Sequence, residues 1–154
     1  MTPNSVFGKW YEPEHRERDD NRSRHAGYYA LYDWCWGDDM QWLYDVSDDW
    51  KTYSHDHGHF LPGGTNWTNE NLVECVDREH EIDFHANGLD DTELWRLADR
   101  LDSIRQSDLL EILEVIPRCW PVSDRELEIL GWFLYRRASG VAGRLRLLAD
   151  RNAS

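Results

Sequence analysis

Apolar residues recur at helical spacing through the second half of the chain. The first helix predicted there follows residues 90–93, whose Asp-Asp-Thr-Glu order has the spacing of a capping box. Its apolar stripe consists of Leu94, Leu97, Leu101 and Ile104. A second helix is predicted from near Ser107 to Pro117, because proline is not tolerated in a helix interior.

A third helix is predicted to begin at a second capping box, residues 123–126. Its apolar positions are Leu127, Leu130, Leu134, Val141, Leu145 and Leu148. Gly140 and Gly143 interrupt this run, and glycine is unfavourable in a helix interior. We therefore expect the helix to bend or break near these two glycines.

The first half of the chain predicts one helix followed by a hairpin. The helix is indicated by Tyr28, Leu31, Tyr32 and Cys35. We expect Asn21 to be its N-cap and Gly37 to take the C′ position after its last turn. Residues 42–44 and 52–54 are β-prone and flank a polar turn, so they predict a β-hairpin.

The elements together predict a mainly α fold with a small β-hairpin. Residues 1–20 are expected to be an N-terminal arm or linker, in which residues 6–10 are compatible with a short strand. Residues 21–154 form the predicted domain. The opening residues do not resemble a signal peptide and no stretch is apolar enough to span a membrane, so we expect a cytoplasmic protein. Three cysteines are expected as buried, reduced thiols: Cys35, Cys75 and Cys119.

Acidic residues dominate the charge of the chain and are concentrated in its first part. There are 17 Lys and Arg against 30 Asp and Glu, a formal charge of −13. Residues 1–90 hold 7 basic and 19 acidic residues, and residues 91–154 hold 10 and 11. This balance argues against direct nucleic-acid binding, which requires cations against phosphate. It is compatible with a protein partner that has a basic surface, or simply with a solvated surface.

Histidines cluster at one place in the sequence. His55, His57 and His59 alternate along residues 55–59, and three imidazoles on one face of a strand could bind zinc. Gly58 argues against a regular strand there. We therefore expect these histidines to shape a turn rather than to bind zinc.

Oxygen-bearing side chains form a second cluster: Asp38, Asp39, Gln41 and Asp56. Carboxylate and amide oxygens suit Mg²⁺, which commonly binds one or two carboxylates together with phosphate oxygens. Protein kinases show the same order along the chain: acidic residues after a helix, then a short hairpin, then an Asp-X-Gly sequence, which is residues 56–58 here. The alternative is that Asp38 and Asp39 cap a helix while Asp56 caps a turn.

Two runs, residues 32–44 and 54–60, resemble the C-terminal lobe of HipA-like kinases. They contain Gly37-Asp38-Asp39, similar to that family's catalytic loop, and Asp56-His57-Gly58, similar to its Asp-His-Gly metal motif. Residues 116–127 resemble the family's helical C-terminus. The resemblance covers residues 21–150 and implies a helical domain like a protein-kinase C-lobe.

This resemblance implies a site for Mg²⁺ and ATP. Asp38 or Asp39 would be the catalytic base, and Asp56 and Gln41 would bind the metal. His57 and Gly58 would join Gln41 and Asp56 in binding the cofactor. The implied activity is a phosphotransferase of the Ser/Thr-kinase type.

A complete kinase also needs an N-lobe with a sheet, a phosphate-covering loop and a lysine. Lys9 lies in the sole candidate strand before residue 21, and no Gly-rich loop is present. We expect the N-lobe to be encoded elsewhere, with this chain as a fragment or as the partner of a separate N-lobe. The alternative function is a non-catalytic acidic protein, an inhibitor or antitoxin-like binder, on a kinase-like scaffold.

Overall fold

The structure is a computed structural model that describes residues 4–8, 14–82 and 86–152. Its strands are β1 (Ser5–Phe7), β2 (Gln41–Asp45) and β3 (Lys51–His55). Its helices are α1 (Asn21–Cys35), α2 (Asn69–Cys75), α3 (Asp91–Ser103), α4 (Gln106–Leu113) and α5 (Asp124–Asn152), with a 3-10 turn at Gly64–Asn66. The predicted mainly α fold with a small hairpin is confirmed at this level.

The strands form one antiparallel sheet in the order β1-β2-β3. In the β2–β3 hairpin, Gln41 lies opposite His55 and Asp45 lies opposite Lys51. β1 adds a third strand on the other side of β2. Lys9, which belongs to the strand predicted at residues 6–10, lies outside the described residues. Trp42 is almost fully buried because its side of the sheet packs against the helices.

The face of α1 that meets the hairpin carries hydrogen-bonding side chains at helical spacing: Asn21, His25, Tyr28 and Tyr32. Asn21 accepts a bond from the Thr52 N–H at 3.0 Å and donates to the Trp50 carbonyl at 2.9 Å. The N-cap position belongs to Asp20, so the expectation for Asn21 was wrong. Asn21 is the first helical residue, and its amide holds the hairpin instead of the helix N-terminus.

The C-terminal end of α1 also differs from the sequence prediction. Trp36 adopts the left-handed conformation after the last turn (φ 56°), whereas Gly37 does not have a positive φ. The Gly37 N–H still donates to the Tyr32 carbonyl at 2.7 Å and satisfies that carbonyl. Gly37 is therefore not the C′ residue.

α5 is one continuous helix of 29 residues, so the expected break at Gly140 and Gly143 is absent. The buried positions around the two glycines are Arg137, Ala138, Val141, Ala142 and Leu145. Packing of this face outweighs the cost of roughly 1 kcal/mol for each helical glycine. The predicted capping box at residues 123–126 is confirmed, since the Glu126 N–H donates to Ser123 Oγ and the Ser123 N–H to Glu126 Oε2. At α3 only half of the predicted box forms: the Glu93 N–H donates to Asp90 Oδ1, but the Glu93 carboxylate pairs with Arg96.

The cysteines are all unpaired thiols, but they are not all buried. Burial raises the pKa of Cys35 to about 12, so this thiol stays protonated. Cys119 is exposed, contrary to expectation, because it lies in the turn between α4 and α5, where Trp120 is also exposed. In the part of the chain that the structure describes, no helix is long and apolar enough to cross a membrane.

The carboxylate of Asp33, on α1, is buried against two arginines of α5. Arg144 holds it with Nε and Nη2, both at 2.8 Å, and Arg137 Nη2 lies 3.2 Å from it. Arg137 also donates to four backbone carbonyls: those of Asp33, Trp34, Cys75 and Arg78. We call these three side chains the Asp33 cluster; it joins α1, α2 and α5.

Replacing Asp33 with Asn leaves two buried or half-buried guanidinium groups without their carboxylate. We expect this substitution to lower the free energy of unfolding by about 3–5 kcal/mol. The control is Asp99→Asn, which removes an exposed partner of Arg146 and should cost about 1 kcal/mol or less. Urea unfolding followed by circular dichroism measures both, and equal losses would show that the cluster is not critical.

His25 lies fully buried beneath the sheet, and its burial makes the free energy of unfolding depend on pH. Its Nε2 lies 3.0 Å from the Tyr44 hydroxyl, which itself donates to the Glu14 carbonyl, so His25 must be the donor to Tyr44. Burial, with a smaller contribution from Arg16, lowers the pKa of His25 to about 3.

Because the pKa of His25 rises to about 6.5 on unfolding, the unfolded chain binds the extra proton at acidic pH. We expect the stability from neutral His25 to be present above pH 6.5 and lost progressively as pH falls toward 3. Between pH 7 and pH 4.5, wild type should lose about 2–3 kcal/mol more than His25→Phe. Urea titrations at both pH values test this; identical pH dependence in the two proteins would contradict it.

Candidate functional site

The predicted site residues lie at one end of the β2–β3 hairpin, where Gln41 faces His55. We call this the open end, because the connecting turn at residues 46–50 closes the opposite end. The segment that follows α1 and the segment that follows β3 run together here. The Asp38 N–H donates to the His59 carbonyl at 3.0 Å, and the Leu61 N–H donates to the Cys35 carbonyl at 3.0 Å.

Asp39 and Gln41 contact each other at the open end. Gln41 Nε2 donates to Asp39 Oδ2 at 2.8 Å, which orients the amide and leaves its Oε1 as an acceptor. Asp39 has a left-handed backbone (φ 54°), a conformation that Asp tolerates better than most residues. Its carboxylate is exposed to solvent.

Asp56 lies directly after β3, as predicted. It also has a left-handed backbone (φ 54°), and its Oδ1 accepts a bond from the Gly58 N–H at 3.3 Å. This is the turn-capping geometry of an Asx turn. His57 Nε2 lies 2.6 Å from Ser54 Oγ, so His57 braces the same turn. The other carboxylate oxygen of Asp56 is available to a ligand.

The buried Tyr32 hydroxyl contacts the open end through Gln41. It accepts a bond from the Gln41 N–H at 3.4 Å. The pKa of Tyr32 is raised by burial, whereas hydrogen bonds with Gln41 and Ser54 lower it; the charges of Asp39 and Asp56 raise it by smaller amounts. The open end thus holds both Asp39, on the segment after α1, and Asp56, next to His55 at the end of β3, although 16 residues separate them in sequence. Sequence reasoning placed Tyr32 on a helix face but missed this role.

Asp38 is not part of this grouping. Its exposed carboxylate lies 3.8 Å from Nε2 of His80, a residue that the sequence prediction did not include. His80 is buried: it donates to the Gly37 carbonyl at 2.8 Å and stacks on Trp36 with ring centroids 4.8 Å apart. His80 lies in a polar run without periodicity, so no sequence pattern indicated it.

The three histidines of the predicted zinc alternative have separate environments. His55 stacks on Phe7, His57 contacts Ser54 and Phe60, and His59 joins the open end through its backbone carbonyl. Among residues 4–8, 14–82 and 86–152, no three His, Cys, Asp or Glu side chains are grouped to hold a metal. A metal at the open end would therefore need oxygen ligands from a bound molecule.

The charges at the open end differ from those in the core. Asp33 is held by two arginines, whereas no described Arg or Lys is ion-paired with Asp38, Asp39 or Asp56. Hard oxygens with unneutralised charge suit a divalent cation that takes its remaining ligands from phosphate.

Comparison of the chain with protein-family models, curated proteins and solved structures finds no match.

Gly37 sets how closely the segment before the open end approaches the aromatic rings. A Cβ on Gly37 would lie 2.6 Å from both the Phe60 and Tyr32 rings. We expect Gly37→Ala to lower the free energy of unfolding by about 1–3 kcal/mol through this overpacking. Gly143→Ala is the control: nothing lies within 4 Å of its Cβ, so it should stabilise α5 by up to about 1 kcal/mol. Urea unfolding compares the two, and a neutral Gly37→Ala would refute the steric argument.

Proposed function

We propose that this chain is a kinase-like C-terminal lobe, of the HipA-like type, that binds Mg²⁺ and the phosphates of ATP at the open end of the hairpin. The observation that carries the proposal is the placement of Asp39, Gln41 and Asp56 at one end of the hairpin, where Gln41 binds Asp39 and lies opposite His55, the neighbour of Asp56. No described basic side chain is ion-paired with either carboxylate.

The donor set consists of hard oxygen ligands, which suit magnesium. Asp56 and Gln41 would hold the ion through a carboxylate and an amide oxygen, the hard ligands that Mg²⁺ prefers. Since two protein ligands are few, the phosphates of the nucleotide would supply the rest. Bound Mg²⁺ neutralises charge on the phosphates in this class of reaction.

The two remaining acids and the turn have separate roles in the proposal. Asp39 is the better placed of the two candidate bases because it contacts Gln41, one of the two proposed metal ligands. Asp38 is directed toward His80 instead. His57 and Gly58 shape the turn that presents Asp56 to the cofactor.

Phosphotransfer of the Ser/Thr-kinase type requires parts that the proposal assigns to a separate N-lobe, on a longer protein or a partner chain. These are the loop that covers the phosphates and the lysine that pairs with them. The described chain would then contribute the metal-binding half of the site. On its own it should bind Mg-ATP weakly and transfer no phosphate.

We expect isothermal titration of the chain with Mg-ATP to give heat that disappears in EDTA. Asp56→Asn should weaken binding at least tenfold, since it removes a charged ligand of the metal. Asp48→Asn is the matched control. It makes the same charge change at the closed end of the hairpin, where Asp48 pairs with Lys51, and should leave binding unchanged.

Two outcomes would contradict the proposal: no magnesium-dependent heat, or equal loss in both variants. They would favour the alternative, a non-catalytic acidic protein that binds a basic partner surface. The exposed carboxylates of Asp38, Asp39 and Asp56 and the excess of acids in residues 1–90 support that alternative. Its signature would be a protein complex that weakens steeply with salt.

A further inference from the structure

A small cavity of about 220 Å³ lies between α5 and the segment that follows α2. Four arginines line it in a chain whose formal charge is −13: Arg78, Arg136, Arg137 and Arg144. Ser139 contributes a hydroxyl, and Asp77 is the acidic residue of the lining. We call it the arginine pocket; it does not include the residues of the open end.

The two inner arginines are fixed in place by the Asp33 cluster. Arg137 uses Nε, Nη1 and Nη2 in bonds to carbonyls and to Asp33, so it contributes charge rather than a free donor. Arg144 binds Asp33 through Nε and Nη2, which leaves Nη1 outside that pair. This Nη1 lies over Gly140, 3.6 Å from the position that a Cβ would occupy there.

The two outer arginines are exposed and loosely paired. Arg78 lies 3.3 Å from Glu74, and Arg136 lies 3.3 Å from Asp77. All four of these side chains are more than half exposed, and such pairs contribute about 1 kcal/mol or less. Both guanidinium groups can therefore exchange their present partners for a more highly charged anion.

The charges of the lining do not cancel. Four arginines and one carboxylate, Asp77, line the cavity. The other carboxylates that act on these arginines lie outside the lining: Asp33, Glu74 and Glu79. The pKa of Arg137 is lowered by burial, partly offset by Asp33, and the like charge of Arg144 lowers it further. A dianion in the cavity would relieve this repulsion.

We propose that the arginine pocket binds a phosphate-class oxyanion. Arg78, Arg136 and Arg144 reach the cavity from the α2 side and from two turns of α5, and Ser139 adds a hydroxyl donor. Guanidinium groups match phosphate oxygens in geometry and form strong, charge-assisted bonds with them. The anion would be either free phosphate or the phosphoryl group of a modified side chain.

The test is urea unfolding of the full chain in low-millimolar inorganic phosphate, with ionic strength held constant by chloride. We expect a saturable rise in the ratio of folded to unfolded protein, about elevenfold at ten times the dissociation constant. Low concentrations matter because phosphate at high concentration stabilises proteins non-specifically. Free phosphoserine in a second series identifies the source: a larger effect than phosphate indicates a phosphorylated side chain, and a smaller one indicates free phosphate.

The variant for this test is the double substitution Arg78→Gln with Arg136→Gln, at two exposed positions that the fold does not need. It should abolish the saturable rise. Arg96→Gln, which removes an exposed arginine paired with Glu93 on α3, should keep it. The proposal is overturned if wild type shows no saturable rise, if the double variant responds as wild type does, or if acetate has the same effect as phosphate.

Discussion

The ion pair between Asp33 and two arginines joins three of the helices of this protein: α1, α2 and α5. A buried carboxylate is costly unless it is paired and hydrogen-bonded, and Asp33 meets both conditions through Arg137 and Arg144. Arg137 extends the effect, because it also binds the carbonyls that end α1 and α2. The end of α1 is thereby fixed to the middle of α5, and the segment carrying Asp38 and Asp39 starts from this fixed point.

The hairpin is held to α1 by a different kind of interaction. Hydrogen bonds from one stripe of the helix reach it at both ends: Asn21 binds Thr52 near the closed end, and Tyr32 binds Gln41 at the open end. These bonds specify the position of the hairpin in a way that apolar contact alone would not. The acids of the open end are therefore exposed side chains on a rigid frame, which is the arrangement that pre-organised ligand binding requires.

Local signals predicted the parts of the fold that depend on local physics. Periodicity and capping boxes located α3 and α5, and β-propensity located the hairpin with its strands one residue too short at each end. The errors arise where tertiary contact prevails: packing keeps α5 continuous through Gly140, and ring contact rather than backbone conformation requires Gly37. His80 and Arg137 act through partners more than 40 residues away, which a single sequence does not reveal.

The open end of the hairpin and the arginine pocket differ in charge, and this difference constrains which ligands each could bind. The open end presents carboxylates that no described Arg or Lys pairs with, so it repels a bare phosphate and attracts cations. The arginine pocket has four arginines and one carboxylate in its lining, which is the composition that our proposal of a phosphate site requires. Both sites depend on the Asp33 cluster, since it places Arg144 at the pocket and fixes the helix end that leads to Asp39. One buried carboxylate thus positions an anion-attracting surface and a cation-attracting surface in the same small domain.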